Sequence, residues 1–271
     1  MRSTVQRVKV GDATIVALSD MEQAYGARQV YPEVGDEAWE AYRELLTEDG
    51  AVLLNFGCYV IVADGRTVLV DTGWGPGFQG RLPDELAGVG IRPEEIDAVV
   101  FTHLHGDHIG WNVVQDGDEL RPRFANARYL VPEADWRHYS AQDERQGLFH
   151  EQVVPLETLG VMDLVGGEHS LSPSITTVAT PGHTPGHMSV AVISGGERGF
   201  ILGDVAIWPF EAHETDWANA FDWDKDLARR TRHAVLDRLE RERALVGASH
   251  FPRPGLGRFV RREGRRVWEA V

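Results

Sequence analysis

Residues 101–110 of the chain read FTHLHGDHIG, which places three imidazoles and one carboxylate within six residues. The apolar run over residues 96–101 predicts a buried strand that leads into this motif. Side chains alternate along an extended chain, so His103 and His105 are expected to share one face. Neutral imidazole and carboxylate are the usual ligands of a borderline divalent ion such as zinc. The stretch therefore indicates a metal site at the end of a strand.

The second half of the motif predicts a second metal beside the first. Gly106 permits a tight turn, and this turn would present Asp107 and His108 from the start of a following helix. The spacing thus offers two ligands to each of two adjacent metals. A polar turn with incidental histidines is the competing interpretation, and it suits a lone His-x-His better than one followed at once by Asp-His.

Three later segments supply the further donors that two metal sites need. They read TPGHTPGH at residues 180–187, FILGD at residues 200–204 and ASHFP at residues 248–252. Each candidate ligand follows a strand-like apolar run, which is where a sheet would place a site. The repeated Pro-Gly-His leaves His183 and His187 as equal candidates by spacing.

The ordered set of motifs resembles the metallo-β-lactamase superfamily, whose series is His-x-His-x-Asp-His, then Gly-His, then Asp, then a late His. The matching residues are His103, His105, Asp107, His108, His183, Asp204 and His250. The resemblance covers nearly the whole chain, beginning at VLVDTG over residues 68–73. Length and pattern alone indicate only an α/β fold, whereas the resemblance implies a four-layer αββα sandwich.

The resemblance also implies a role for each ligand and makes His187 structural. One metal would be held by His103, His105 and His183 and the other by Asp107, His108 and His250, with Asp204 bridging them. The expected cofactor is a pair of divalent zinc ions, with manganese or iron as alternatives that also accept nitrogen and oxygen ligands.

Asp71 ends the VLVD run and is predicted to orient one ligand imidazole. The reason is that metal-bound histidines usually donate their other N–H to a carboxylate or carbonyl. An aspartate that only forms a turn or caps a helix is the alternative interpretation.

Two aromatic segments are candidates for contact with a substrate. Trp208 and Phe210 begin residues 208–223, which follow the bridging aspartate directly, and they are predicted to line an apolar pocket. Ordinary core packing of a long loop is the alternative. Residues 21–50 are acidic with interspersed aromatics, and 37–47 fit a helix. This region is either part of the mouth of the site or a solvated flap.

Composition narrows the class of protein and its partners. The net charge of −15 argues against a nucleic-acid or anionic-membrane partner, since phosphate binding depends on clustered Lys and Arg. The 271 residues, 42% of them hydrophobic, suit one domain over 1–271 with a small-molecule substrate. The first twenty residues lack the pattern of a signal peptide and no segment approaches ~18 apolar residues, which predicts a cytoplasmic location without a membrane span. A homodimer is compatible with the sequence.

The single cysteine, Cys58, excludes an intrachain disulfide and is predicted to be a small buried residue. Residues 5–10 and 13–18 predict a hairpin joined by a Gly-Asp turn, and residues 52–56 and 58–63 predict two further strands. 

Near the C-terminus, residues 259–271 predict a closing hairpin. Residues 225–243 predict a helix with its arginines on a solvated face. The predicted apolar stripe of this helix consists of Leu227, Thr231, Ala234, Val235 and Leu239.

The predicted chemistry is hydrolysis of an ester-type bond. Two divalent metals that share a hydroxide would make a strong nucleophile, since a bound water can reach a pKa of about 7. Asp107 would orient this hydroxide and then carry a proton to the leaving group, which makes it the predicted catalytic residue. Members with this ligand set resemble quorum-quenching lactonases and organophosphate hydrolases. A lactone or carboxylic ester with an apolar group is therefore the first choice of substrate.

One departure from the family pattern weakens the prediction of a lactone. The acyl-homoserine lactonases place a tyrosine three residues after the bridging aspartate, where this chain has Ile207. A thioesterase resembling glyoxalase II competes, but the 21 residues after His250 leave no room for its helical domain. A phosphotriester or aryl ester hydrolase fits the aromatic segments, and a β-lactam hydrolase fits less well without a signal peptide. A non-enzymatic binding module, from another class, usually lacks some of the ligands that are all present here.

Overall fold

The computed structural model describes residues 6–142 and 147–271, and its elements are numbered along these ranges. The strands are β1 (Gln6–Val10), β2 (Ala13–Gly26), β3 (Ala51–Ala63), β4 (Arg66–Val70), β5 (Ala98–Val100), β6 (Val113–Asp116), β7 (Glu119–Pro122), β8 (Arg128–Pro132), β9 (Met162–Val165), β10 (Ser170–Ser172), β11 (Ile175–Ala179), β12 (Met188–Ser194), β13 (Glu197–Ile201), β14 (Leu245–Gly247), β15 (Leu256–Arg262) and β16 (Arg265–Ala270). The α-helices are α1 (Ala27–Val30), α2 (Asp36–Glu40), α3 (Leu82–Gly88), α4 (Glu133–Ser140), α5 (Val154–Thr158) and α6 (Lys225–Glu242). The first predicted strand thus begins at Gln6, and Val5 lies outside the described residues.

Short helical turns connect these elements. They are Arg43–Leu45, Pro76–Phe78, Pro93–Glu95, Gly106–His108, Gly203–Val205 and Pro209–Ala212, all of 3₁₀ type, and the π-helical turn Phe149–Val153. The turn Gly106–His108 stands where the sequence predicts the start of a helix.

Two seven-stranded sheets form the centre of the molecule. The first has the order β1-β2-β3-β4-β5-β8-β9, and the second has the order β10 to β16 in sequence. The pairs β4–β5, β5–β8, β8–β9 and β13–β14 are parallel. Both predicted terminal hairpins are present, as β1–β2 and β15–β16.

The sheets and helices stack in four layers. The inner faces of the sheets share one buried cluster that includes Val68 of β4 and Val190 of β12. On the outer face of the first sheet, Leu86 of α3 and Leu156 of α5 enter a second cluster. Leu236 of α6 covers the outer face of the second sheet. The order helix, sheet, sheet, helix confirms the predicted αββα sandwich.

A glycine explains why β3 is one strand where the pattern predicts two. Gly57 does not interrupt the strand but pairs with Ser19 of β2. A Cβ at Gly57 would lie 2.9 Å from the carbonyl oxygen of Ser249, so a larger side chain would push away the segment that carries His250. In a strand interior, glycine marks such a close approach of another backbone. Cys58 beside it is buried, as predicted.

The helix α6 corrects two predictions about which of its residues face inward. Ala234 is exposed, and Arg232, predicted to lie on the solvated face, is completely buried with an exposed fraction of 0%. The buried residues are Ala228, Arg232, Val235, Leu236 and Leu239. A hydropathy pattern places a charged residue at the surface, because charged side chains are rarely buried unless they are paired. The pattern contains no information about a partner that lies far away in sequence. Within the two described ranges, no helix has the length and apolar character to cross a membrane.

A buried carboxylate fixes the loop between β4 and α3 in place. The register of β2 and β3 shifts between Ser19 and Met21, which leaves Asp20 as the extra residue of a β-bulge. Asp20 accepts hydrogen bonds from the backbone N–H groups of Trp74, Gly75 and Leu82 and from the indole N–H of Trp111, at 2.8–3.3 Å.

We expect Asp20→Ala to lower the free energy of unfolding by about 3 kcal/mol or more, because it leaves several buried donors without an acceptor. Urea denaturation followed by circular dichroism measures this change. Asp12→Ala is the matched control, since Asp12 is exposed in the β1–β2 turn and should change stability by less than about 0.5 kcal/mol. Equal effects of the two substitutions would contradict the assigned role of Asp20.

Candidate metal centre

The predicted ligands converge because their segments leave the sheets at the same edge. The His-x-His segment follows β5, and His183 follows β11. Asp204 and His250 follow β13 and β14, which are parallel neighbours. Loops that follow strands of one direction meet at one edge of a sheet, where open α/β sheets usually bind ligands.

The first group of ligands consists of three histidines. The Nδ1 atom of His105 lies 3.1 Å from Nε2 of His103 and 3.0 Å from Nε2 of His183. Nε2 of His103, Nδ1 of His105 and Nε2 of His183 thus point toward one position, as three nitrogen ligands of one metal do. This is the set that the family resemblance assigns to one metal.

The second group consists of Asp107, His108 and His250. Oδ2 of Asp107 lies 3.5 Å from Nε2 of His108 and 3.4 Å from Nε2 of His250. All three ligand atoms lie within 4.8 Å of one another. This set matches the predicted ligands of the other metal.

Asp204 stands between the two groups. Its Oδ2 atom lies 3.3 Å from Nε2 of His183 and 3.0 Å from Nε2 of His250. Its Oδ1 atom lies 3.5 Å from Nε2 of His108. One carboxylate therefore contacts histidines of both groups, which is the position that a bridging ligand occupies.

Asp71 lies where the sequence predicts it, beside the imidazole of a predicted ligand. Its Oδ2 atom is 2.8 Å from Nδ1 of His108, and both of its oxygens accept hydrogen bonds from Thr102. The Thr102 hydroxyl donates its single proton to Asp71, so it accepts from Nδ1 of His103, 3.0 Å away. Asp71 thereby orients two of the predicted ligand imidazoles, one directly and one through a hydroxyl.

Two further groups orient predicted ligands, and sequence reasoning missed both. Oδ1 of Asp222 is 2.9 Å from Nδ1 of His183. The backbone carbonyl of Asn55 is 2.9 Å from Nδ1 of His250. Asp222 stands in an aromatic loop without a recognisable motif, and any residue can supply a carbonyl, so no local pattern marks either group.

The structure separates His183 from His187, which the spacing leaves equal. Nε2 of His187 accepts the backbone N–H of Asp204 at 2.9 Å, so its Nδ1 donates to the hydroxyl of Thr180, 2.8 Å away. Burial lowers the pKa of His187 to about 3, which keeps the ring neutral. Both nitrogens are thus engaged in the loop, while His183 points its Nε2 at the centre.

The charges of the two groups differ. Burial holds the pKa of His103 well below its ordinary value and lowers that of His105 to about 3, so both imidazoles are neutral as ligation requires. For His108, burial acts in the same direction, but the carboxylates of Asp107, Asp204 and Asp71 outweigh it and raise its pKa well above the ordinary value. A positive charge close to these buried carboxylates stabilises them, and a divalent ion would supply it.

Two buried atoms at the centre lack a hydrogen-bond partner. They are Nε2 of His108 and Oδ1 of Asp204, which face each other at 3.5 Å. A buried polar atom without a partner costs about 1–3 kcal/mol. A cation between the two atoms would remove that cost, and imidazole nitrogen with carboxylate oxygen suits zinc, manganese or iron. The donors present therefore fit a pair of divalent ions.

A cavity of about 350 Å³ opens over the ligands. It is lined by Tyr25, Leu54, Phe56, Trp74, His105, Gly106, Asp107, His183, Asp204, Ile207, Phe221 and His250. Its floor is polar and its wall is apolar and aromatic. A larger cleft, about 700 Å³, is lined by charged side chains around Arg258, and none of the predicted ligands contacts it.

The structure corrects the predicted pocket residues Trp208 and Phe210. Neither of them lines the cavity, and both pack in a buried aromatic cluster behind the wall. The backbone at Trp208 is extended, so its side chain points away from the face to which Ile207 contributes. Ile207 and Phe221 are the residues of this region that line the cavity.

Residues 21–50 combine both alternatives that the sequence leaves open. Tyr25 at the end of β2 lines the cavity. Tyr31, Trp39 and Tyr42 pack instead on Phe210, with ring centroids 5.1–5.6 Å apart. The two aromatic segments therefore support each other and present one side to the site.

Comparisons with known proteins agree with this fold. The family model described as the metallo-beta-lactamase superfamily matches residues 58–250. An N-acyl homoserine lactonase of Bacillus cereus is 23% identical over 227 residues, covering 76% of this chain and 84% of that protein. Among solved structures, the hydrolase AbOPH superposes with a TM-score of 0.85 at 21% identity, covering 98% of this chain and 97% of that chain. The dizinc quorum-quenching lactonase AidC, in complex with a product, gives 0.83 at 20% identity and the same coverage.

The chain belongs to the metallo-β-lactamase superfamily, since the family model matches well over half of it. It is a hydrolase of that superfamily, which confirms the predicted enzyme class. The clusters of histidine and aspartate are compatible with divalent metal ions.

We expect Asp71→Asn to weaken the binding of divalent ions about 10–100-fold, because the amide orients His108 less firmly than the carboxylate does. Titration of the metal-free protein with zinc against a competing chelator measures this change. Asp71 has φ +60°, a backbone conformation that asparagine tolerates, so the substitution adds no strain.

Asp64→Asn is the control for this prediction. Asp64 has φ +53° and bonds to Ser172 and Ser174, away from the predicted ligands. Its substitution should leave zinc affinity unchanged, and a loss equal to that of Asp71→Asn would contradict a specific role of Asp71.

Proposed function

We propose that the chain is a dinuclear metal-dependent hydrolase that cleaves an ester-type bond, first of all in a lactone or carboxylic ester with an apolar group. One observation carries the proposal: two groups of three ligands, joined by Asp204, form the floor of a cavity with an apolar wall. The floor suits a polar reacting group and the wall suits its apolar substituent.

The metals would be held in the two groups described above, with zinc as the favoured ion and manganese or iron as alternatives. Two divalent ions bound there would polarise the carbonyl oxygen of an ester and lower the pKa of a water to about 7. The outward partners Asp71, Asp222 and the Asn55 carbonyl would keep the imidazole lone pairs directed at the ions.

Asp107 is the proposed catalytic residue. It lines the cavity, and its Oδ2 atom is oriented by His108 and His250 at 3.5 and 3.4 Å. Burial would raise its pKa, but attraction to these two histidines outweighs burial and lowers the pKa to about 2. The ionised carboxylate can orient the attacking water, accept its proton and pass the proton to the leaving oxygen.

Two observations support a lactone or carboxylic ester as the substrate. The relative from Bacillus cereus is an N-acyl homoserine lactonase, and the similar structure of AidC is that of a dizinc lactonase. The wall of Leu54, Phe56 and Ile207 suits an aliphatic or acyl group. The acyl-homoserine lactonases place a tyrosine where this chain has Ile207, so the wall is apolar at this position. A phenol is present in the lining of the cavity at Tyr25.

A second candidate is hydrolysis of an aryl ester or phosphotriester. The aromatic part of the wall favours it, because Phe56, Trp74 and Phe221 can pack against an aryl leaving group. The same floor would serve both reactions, since two cations stabilise a phosphoryl oxygen as they do a carbonyl oxygen. A cytoplasmic location and a homodimeric assembly stay predictions.

We expect His105→Ala and Asp204→Asn each to abolish hydrolysis and to lower the bound metal below two ions per chain, because each removes a ligand of the centre. Metal content is measured by mass spectrometry on protein purified with zinc. His169→Ala is the control, since His169 is exposed and belongs to none of the ligand groups. Full activity of the protein after exhaustive chelation would rule out a metal-dependent mechanism.

We expect a panel assay to rank a lactone or carboxylic ester with an apolar acyl group above an aryl ester, a thioester, a phosphotriester and a β-lactam. The protein in the assay carries a measured metal content, and kcat/KM is compared across the panel. The apolar wall should raise kcat/KM as the acyl chain lengthens, up to the size of the cavity. A phosphotriester or aryl ester at the top of the ranking would replace the first candidate with the second.

A further inference from the structure

One buried guanidinium connects the candidate metal centre to the wall of the cavity. Arg232 on α6 is completely buried, and three of its N–H groups donate to backbone carbonyls. Nε donates to the carbonyl of Val205 at 2.8 Å, and Nη1 donates to the carbonyls of Thr215, at 3.1 Å, and Trp217. These carbonyls belong to the loop that runs from the bridging aspartate to α6.

The remaining nitrogen of Arg232 lies between two buried carboxylates. Nη2 is 3.3 Å from Oε1 of Glu211 and 3.5 Å from Oδ2 of Asp222. Both carboxylates have an exposed fraction of 0% in their side chains. A buried carboxylate without a counter-charge is strongly unfavourable, so the guanidinium is what allows both to remain inside.

Each carboxylate acts on a different part of the site. Asp222 uses its other oxygen, Oδ1, to hold Nδ1 of His183 at 2.9 Å. Glu211 uses its other oxygen, Oε2, to accept the backbone N–H groups of Ile207 and Trp208. The first contact orients a predicted metal ligand, and the second fixes the backbone at a residue that lines the cavity.

We propose that Arg232 is a positioning residue that sets the orientation of His183 through Asp222 and the position of the Ile207 wall through Glu211. The inference deepens the proposed function and rests on its assignment of His183 as a metal ligand. It adds a specificity determinant more than twenty residues away in sequence from the wall that it controls.

Lysine would not replace Arg232, because one ammonium has three donors on a point charge and cannot reach acceptors arranged around a planar fork. Substitution of Asp222 and substitution of Glu211 are expected to have separate effects, on zinc affinity and on the KM profile respectively. Substitution of Arg232 is expected to have both effects. This separation distinguishes positioning from a general contribution to stability.

The test uses the full-length protein and three single variants, with zinc alone as the metal probe. Asp222→Asn keeps the Arg232–Glu211 pair. It should weaken the binding of one of the two zinc ions about 10–100-fold and leave the dependence of KM on acyl chain length unchanged. Glu211→Gln should change that dependence of KM and leave both zinc affinities unchanged. Arg232→Met should show both effects.

Arg230→Met is the matched control. It is the same substitution on the same helix, and Arg230 is exposed. It should keep both zinc affinities and the chain-length profile. Thermal unfolding is recorded for every variant, so that affinities are compared only between folded proteins.

A folded Arg232→Met protein with both zinc affinities and the KM profile of the unmodified chain would overturn the inference. If Arg232→Met does not fold, the two carboxylate variants decide. Weaker binding of one zinc ion in Asp222→Asn together with a changed KM profile in Glu211→Gln supports the inference, and two unchanged zinc affinities in the first or an unchanged KM profile in the second overturns it. An unmodified chain that binds two zinc ions but hydrolyses no member of the panel overturns the proposed substrate class, while the zinc titrations still test the inference. An unmodified chain that binds no zinc overturns both.

Discussion

The candidate metal centre depends on hydrogen bonds to the outward-facing ring nitrogens of its buried imidazoles. An imidazole directs a lone pair at a metal only when its other nitrogen has a hydrogen-bond partner that fixes the tautomer and the ring. Here His108 is held by Asp71, His183 by Asp222 and His250 by a carbonyl of β3. These partners come from three different parts of the fold, so the geometry of the centre requires the whole sandwich to be assembled.

The sandwich also explains why so much polarity is tolerated inside. Parallel strands end at a common edge, and their loops bring ligands together without long connections. The carboxylates at this edge raise the pKa of His108 against the effect of burial. In the native protein the same demand for positive charge favours divalent ions, which a superfamily hydrolase of this kind would use to activate water.

The metal centre and the wall of the cavity are built by different means. The predicted ligands lie at strand ends and in the first turns that follow them. The wall comes from residues 25–56, from Trp74 and from the long loop after β13. An aromatic cluster joins the first and last of these segments, and the charges around Arg232 anchor the loop. Substitutions in the wall can therefore change the accepted substrate while the chemistry on the floor stays the same.

The sequence by itself predicted the His-x-His-x-Asp-His motif as metal ligands and the role of Asp71, and the family resemblance added the rest of the predicted ligand series and the four-layer fold. These features are local: they depend on spacing within a motif and on the strand that precedes it. Only the tertiary structure decided that Asp222 holds His183, that Arg232 is buried, and that Ile207 rather than Trp208 faces the cavity. The physical reason is that burial of a charge, or the direction of a side chain in an irregular loop, is set by partners distant in sequence. Hydropathy and spacing describe a residue and its neighbours along the chain, and they contain no term for such partners.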